Sequence, residues 1–384
     1  MKRQITDKME ENGMEQSPIR VLHIVGSIHP GGMENFIMNL YRHIDRERIQ
    51  FDFVVHMKQE NAYTEEIRSM GGRIYELPRL TARPLSNLRQ LYRLVKENRY
   101  RVVVRHTPNA LIAPQIYAAK WAGAKVICHS HNTTDPQKTL HRVGRFLLRF
   151  ARIERFACSK DAGKWMFGKR GDVRIVHNAI DIDRFCYSEE ADKKIRQEFG
   201  IGNGHVYGHV ANFIASKNHL FLMQIYKQIS MTDKDARFFC IGDGELREQV
   251  KAEAERLGLT DRVFFTGIRY DVRDFMSCMD VLIFPSVFEG LPLTLIEAQA
   301  AGLPCLISDT VTKDVEVTKN LICFYSLAQS PECWAERAKT LADYANTENK
   351  KERRACQREK IAAAGYDIEQ LSAWYTSYFT ELAR

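Results

Sequence analysis

From Arg20 onward, short runs of β-branched and aromatic residues alternate with longer stretches whose apolar positions recur every three or four residues. VLHIV (21–25), FDFVV (51–55), VVV (102–104), VIC (126–128) and RFAC (155–158) are the runs of the first half. A helical pattern follows each of them, over 33–43 and near 63–70 for the first two. Short buried strands separated by crossover-length helices pair in parallel, so this order predicts a doubly wound α/β sheet. The alternation stalls at 178–204, a polar stretch holding NAIDID, a charged helix-like piece and GIGNG. It resumes with HVYGHVA (205–211), FFCIG (238–242), VFF (263–265), VLIFP (281–285) and CLIS (305–308). The stall predicts a junction between two Rossmann-like units, one over 19–185 and one over 186–366. The chain from about 331 reads as helical, and its last segment, 367–384, is expected to return to the first unit. Two facing units of this kind would enclose an interdomain cleft at the carboxyl ends of their strands, where open α/β sheets bind ligands.

Composition narrows this picture. The chain has 384 residues and 45% hydrophobic positions, enough for two cores at about 150 residues per domain. No stretch approaches the roughly 18 consecutive apolar residues of a membrane span. Residues 1–18 are polar, of mixed charge and without the apolar run of a signal peptide, and are expected to be a disordered leader. Nine cysteines at irregular spacing, with no C-x-x-C, predict reduced core thiols in a cytoplasmic protein. The formal net charge of +8 favours anionic partners. No nucleic-acid recognition module accompanies it, so nucleic acid is not among the expected partners.

Candidate chemistry concentrates in VLIFPSVFEGLPLTLIEAQAAGLPCLISD (281–309). A buried strand ends at Pro285, a loop carries Glu289 and Gly290, and Pro292 stands at a helix start, where its missing N–H costs nothing. Gly302 is expected to stop that helix. Free amides from Gly290 and Leu291 to Thr294 form an anion site at a helix start, and Glu297, one turn further, reaches toward a polar group such as a ribose diol.

This string resembles the retaining family 4 glycosyltransferases of the GT-B fold, whose hallmark is two glutamates separated by seven residues around Gly-Leu-Pro, here Glu289 and Glu297. The resemblance runs over roughly 19–380 and is densest in the second unit. It implies that Glu289 lies beside the donor sugar and that Glu297 binds the nucleotide ribose. GSIHPGGMENFIMNLYRHI (26–44) supplies Gly31 and Gly32, whose backbone amides can approach a diphosphate without Cβ interference. CHSHN (128–132) is similar to the family's active-site histidine segment and puts His131 near the transferred sugar. VHNAIDIDRF (176–185) resembles its hinge segment, with Ala179 in place of Gly. The Asp181-Ile-Asp183 string inside it looks like a metal-binding D-x-D, yet the hinge reading argues against a metal.

GHVANFIASKNHLFL (208–222) matches the family's phosphate-binding loop, with Lys217 as diphosphate ligand and Asn212 where the family has Arg. A neutral amide there replaces a charge-assisted contact worth about 1.5–3 kcal/mol. FFCIGDGELREQV (238–250) contains Gly242-x-Gly244, half a dinucleotide fingerprint whose third glycine position is Arg247, so a nicotinamide or flavin site is not expected. The family turn at that place puts Gly242 and Gly244 along the nucleotide pocket.

The resemblance therefore implies a metal-independent glycosyltransferase that needs no cofactor. It would move a sugar from a nucleotide-sugar, UDP by default, to an oligosaccharide or lipid-linked precursor of an exopolysaccharide or capsule. His131 and Glu289 would be its catalytic residues. In LHRVGRFLLRFARIERF (140–156), arginines at three- and four-residue spacing among apolar residues predict a basic amphipathic helix suited to an anionic membrane face. Two other readings stand beside this one: a nucleotide-sugar epimerase on a related fold, and a catalytically weakened nucleotide-sugar-binding partner in polysaccharide assembly.

Overall fold

The computed structural model describes residues 17–29, 31–56, 60–132, 138–169, 172–345, 352 and 354–384. Nearly all of the expected leader lies outside them. The chain divides into two compact units, one running through Ala179 and taken up again over Ile368–Arg384, the other spanning Ile180–Asp367. The division falls six residues before the predicted 185/186 boundary, and the charged piece at the stall is a helix of the second unit, Glu189–Glu198.

The first unit holds a seven-stranded parallel sheet: β1 (Ile19–Ile24), β2 (Ile49–Val55), β3 (Ile74–Glu76), β4 (Val102–Thr107), β5 (Lys125–Ser130), β6 (Glu154–Ala157) and β7 (Val173–Ile175). Their spatial order is 3-2-1-4-5-6-7. The central strands are buried along nearly all of their length because helices cover both faces, and that is why their apolar stretches read as continuous runs. One face packs Phe36, Leu40 and Tyr41 of helix Gly32–His43 with Tyr375 and Phe379 of helix Ile368–Leu382. The terminal helix thus completes the first unit's core.

The second unit holds a six-stranded parallel sheet: β8 (Val206–Val210), β9 (Arg237–Ile241), β10 (Val263–Gly267), β11 (Val281–Phe284), β12 (Cys305–Ser308) and β13 (Ile322–Tyr325). Its order is 10-9-8-11-12-13. In each sheet the strand order reverses beside the first strand, between β1 and β4 and between β8 and β11, the switch point where α/β sheets bind ligands. Strands β3, β7 and β13 are short and half-exposed at or near sheet edges, so their apolar runs were too brief to predict them.

Two expectations are corrected. The basic helix ends at Phe150 rather than 156, because Glu154–Ala157 is taken up by β6. Of the nine cysteines, Cys186 and Cys356 form a disulfide with Cα atoms 5.0 Å apart. The ion pair between Arg358 and Asp183 holds the same two segments together, a proximity that a separation of 170 residues cannot reveal. Four of the seven free cysteines are buried as expected: Cys128, Cys240, Cys278 and Cys305.

Candidate active site

In the second unit, the turns after β8 and β11 meet around one ion pair. β8 leads through Asn212 into a short 3-10 turn, Ala215–Lys217, and then into helix His219–Thr232. Asn218 adopts left-handed φ (57°) at the junction, a conformation Asn tolerates better than most side chains. β11 ends at Phe284, and the loop that follows is clamped from two sides. The Ser286 carbonyl accepts from the Ser308 hydroxyl and, at 2.8 Å, from Thr310 Oγ1. The Val287 amide donates to the Ser216 carbonyl at 2.8 Å. These bonds tie the Glu289 loop to the Lys217 turn, and the two side chains form a short ion pair, both largely buried. Lys217 Nζ also lies 5.3 Å from the centroid of the Phe284 ring. An ammonium has three donors, so a Lys held this way keeps capacity for a further anion.

Helix Leu293–Ala300 starts at Pro292, and its first N–H groups have no intrahelical partner. Gly290 is exposed with open space around its Cβ position, so nothing but an incoming group would crowd it. Gly302 closes the helix with φ 62°. Burial pushes the Glu297 carboxyl up to about 7 although nearby Arg184 opposes the shift. The partly exposed side chain is thus crowded by protein yet open to solvent on one side.

Gly242 and Gly244 follow β9 and lie against the β8 loop. A Cβ on Gly242, whose φ is 136°, would fall 2.1 Å from the Ala211 carbonyl, and one on Gly244 would meet the Phe213 backbone at 2.7 Å. The Phe213 amide donates to Asp243 O at 3.0 Å, and Phe213 O accepts from Leu246 N. Backbone-to-backbone packing is therefore sufficient reason for both glycines. Asn212 is exposed on the same loop. Two buried histidines went unnoticed in the sequence. His209 reaches Ile283 O through Nδ1 at 2.8 Å, and His219 stacks on Phe213 at 4.2 Å, both behind Lys217.

The Asp181-x-Asp183 string is structural. Asp181 caps a helical turn by accepting from Arg184 N at 3.1 Å, and Asp183 pairs with Arg358. Ala179 is fully buried with an ordinary backbone, so its methyl group simply fills core in place of the usual Gly.

In the first unit, Gly31 and Gly32 open helix Gly32–His43 with no side chain crowding Gly32. Phe36 of that helix packs 5.9 Å from His131, just beyond β5. His131 belongs to a group of four. The period of two along β1, β4 and β5 puts His23, His106 and His129 on the face covered by helices Gly32–His43 and Ile368–Leu382. His106 is the direct register partner of His129. His106 Nδ1 and His131 Nε2 are 2.9 Å apart, and His23 Nδ1 and His106 Nε2 3.0 Å. Burial pushes His23 and His131 down to about 3 and holds His106 and His129 well below the usual imidazole range, so all four are neutral at pH 7. His106, His129 and His131 are the one set of three metal-ligating side chains found among the described residues. Two of these rings already bond one another through ring nitrogens, which favours a hydrogen-bonded chain over a metal centre. His23 and His106 were missed because a histidine within an apolar strand looks like core.

A family model described as "Glycosyl transferases group 1" matches residues 204–343, and one described as "Glycosyltransferase Family 4" matches 30–184. The chain is 35% identical over 373 residues to a putative glycosyltransferase, EpsF, of Bacillus subtilis, covering 93% of this chain and 95% of that protein. It is 25% identical over 313 residues to an Escherichia coli UDP-Gal:α-D-GlcNAc-diphosphoundecaprenol α-1,3-galactosyltransferase, covering 76% and 80%. The crystal structure of Anabaena Alr3699/HepE in complex with UDP superposes with a TM-score of 0.75 at 20% identity, over 94% of this chain and all of that one.

Proposed function

The chain belongs to glycosyltransferase family 4 and has the GT-B fold, and from that premise we propose a retaining, metal-independent transfer of a sugar from a UDP-sugar to a lipid-linked polysaccharide precursor. The observation that carries this reading is the Lys217–Glu289 pair at the switch point of the second sheet, beside a helix start. Lys217 and the amides of Gly290 and Leu291 take the donor diphosphate, and Glu297 takes the ribose. Glu289, released in part from Lys217, bonds the hydroxyls of the sugar. His131, neutral, contacts the transferred sugar from the first unit. Departure of the diphosphate and attack of the acceptor hydroxyl occur on one face, and the anomeric configuration is kept. Positioning and charge stabilisation then supply the rate. UDP is favoured because two of the similar proteins bind or use it by name.

Thermal shift with UDP, GDP and ADP, each with and without Mg²⁺, tests the donor half. The expected result is a rise in melting temperature selective for UDP and indifferent to Mg²⁺. A rise that required Mg²⁺ would defeat metal independence. Asn212 favours a second reading, a weakened nucleotide-sugar-binding partner of an assembly complex. That reading predicts a UDP shift with no transfer to any acceptor.

Acceptor access fits the basic helix Lys138–Phe150, on which Leu140, Val143, Leu147 and Phe150 form an outward apolar stripe, Phe150 being 66% exposed. Arg142, Arg145, Arg149 and Arg155 line an adjoining cavity of about 520 Å³. An apolar stripe bordered by arginines suits a peripheral position on an anionic cytoplasmic leaflet. No helix among the described residues is long and apolar enough to cross a membrane. Flotation with vesicles containing phosphatidylglycerol should carry the protein upward, and vesicles of phosphatidylcholine alone should not. Equal recovery with both would remove the membrane contact.

A further inference from the structure

Of the four histidines gathered in the first unit, the proposed mechanism uses only His131. We propose that His23 and His106 are positioning residues whose hydrogen-bonded chain holds His131 as the neutral tautomer with its proton on Nδ1, so that the ring meets the sugar as an N–H donor. This rests on the reading of His131 as the sugar-side residue.

A bond between two neutral imidazoles needs one N–H and one lone pair. The chain has two links, His23 Nδ1 with His106 Nε2 at 3.0 Å and His106 Nδ1 with His131 Nε2 at 2.9 Å. Only two proton arrangements satisfy both. In one, every ring is protonated on Nδ1, each link donates toward His131, and His131 Nδ1–H is left at the outer end. In the other, every ring is protonated on Nε2, and His131 Nδ1 offers a lone pair. The inner end decides between them. His23 Nε2 is buried without a hydrogen-bond partner, in a ring lying 4.0 Å from Phe51, 5.7 Å from Phe53 and edge-on to Phe379 at 6.4 Å. An N–H orphaned there is the rarer and costlier defect, whereas an unused lone pair is better tolerated. The N–H left at the outer end by the first arrangement can meet a sugar hydroxyl, whereas the one left at the inner end by the second could meet nothing, so the first arrangement prevails.

The outer end is equally distinctive. His131 Nδ1 is buried and has no partner among the described residues, and an unpaired polar atom at a candidate site requires a reason. A hydroxyl oxygen of the sugar supplies one. The His129 ring lies tilted against that of His131, with centroids 4.1 Å apart, and limits its rotation. Arg105, next to His106 on β4, donates to Gln115 Oε1 at 2.9 Å and to Ile24 O at 3.1 Å, which ties β4 to β1. His131 donates a hydrogen bond in this scheme and does not act as a base; the proton of the acceptor hydroxyl passes to the departing diphosphate oxygen on the same face.

Long-range ¹H–¹⁵N spectra of the full chain labelled with ¹⁵N-histidine read the tautomer directly, with His131 assigned by its loss in His131→Ala. The expected pattern is a protonated Nδ1 and an unprotonated Nε2 on His131. A proton on Nε2, or a mixture, overturns the proposal. In His23→Phe the inner donor is gone, so His131 should become a tautomer mixture. The turnover number should then fall about tenfold, the loss of one positioned hydrogen bond, with the donor KM unchanged. An unaltered His131 tautomer together with unaltered turnover in that variant also overturns it. If His23→Phe does not fold, the wild-type spectrum alone decides. The spectrum needs no activity, so failure of the tautomer is distinguishable from failure of the sugar-side reading, which unchanged turnover in His131→Ala would expose.

Discussion

The two units share an architecture and differ in what they bring to the switch point of the sheet. In the first, β1, β4 and β5 deliver neutral imidazoles into an aromatic core, with no ion pair among them. In the second, the turns after β8 and β11 deliver a full ion pair next to unpaired helix amides. The contrast assigns labour. Fixed charge and backbone donors suit a diphosphate, which is anionic before, during and after the reaction. Neutral donors suit a sugar, whose hydroxyls gain little from a full charge. In the proposed enzyme, one half binds the leaving group and the other orients what is transferred.

The most severe test of this division removes the charge. Lys217→Met deletes the cation and leaves Glu289 largely buried without its partner. Nucleotide affinity should fall by about 1.5–3 kcal/mol and turnover by about 10²–10³-fold. His131→Ala, in the other half, should lower turnover comparably while keeping the UDP-induced thermal shift. Calorimetric titration of UDP into both variants, beside initial rates, checks the pair. If His131→Ala also abolished nucleotide binding, the division of labour between the halves would collapse.

A smaller effect, of opposite sign, is expected from Asn212→Arg. Asn212 is exposed on the loop that carries Lys217, so a longer side chain meets no packing obstacle. A guanidinium there should tighten UDP by about 1.5 kcal/mol, roughly tenfold, through a charge-assisted contact. Unchanged affinity in the titration would mean that Asn212 does not face the diphosphate, and the weakened-partner reading would lose its support.

The charged half was far more legible in the sequence than the neutral one, for a physical reason. Glu289, Gly290, Pro292 and Glu297 fall within one strand-loop-helix, so their spacing along the chain is nearly their spacing in space. Lys217 joins them from one neighbouring turn. The histidine chain instead assembles from β1, β4 and the end of β5, and only sheet register makes His23, His106 and His131 neighbours. His23 looked like one polar residue in an apolar run, and His106 like part of the polar end of β4, so neither pointed to His131. The glycines mislead in the other direction. Gly242 and Gly244 invited a ligand-based account, yet the Ala211 and Phe213 backbones leave no room for a Cβ at either position. The Cys186–Cys356 disulfide was likewise invisible, since no local pattern links a helical turn to a segment 170 residues later.

The mildest prediction concerns pH and again separates the halves. Glu297 keeps its proton in the folded chain up to about 7, against 4.5 for an unperturbed carboxyl, because burial disfavours its charged form. Between those values the folded state binds more protons than the unfolded state, so stability must fall as pH rises through the window. The side chain retains some solvent contact, which reduces the nominal penalty to about 1–2 kcal/mol at pH 8. The histidines of the first unit act with the opposite sign: burial keeps them neutral in the fold, while the unfolded chain binds protons on them below about 6.5, so their contribution to stability rises from pH 5 to 7. Glu297→Gln should therefore raise Tm by a few degrees relative to wild type at pH 8 and leave it nearly unchanged at pH 5. Parallel curves for wild type and variant would show that Glu297 ionises freely in the fold, and the second unit would then owe its pH response to some other group.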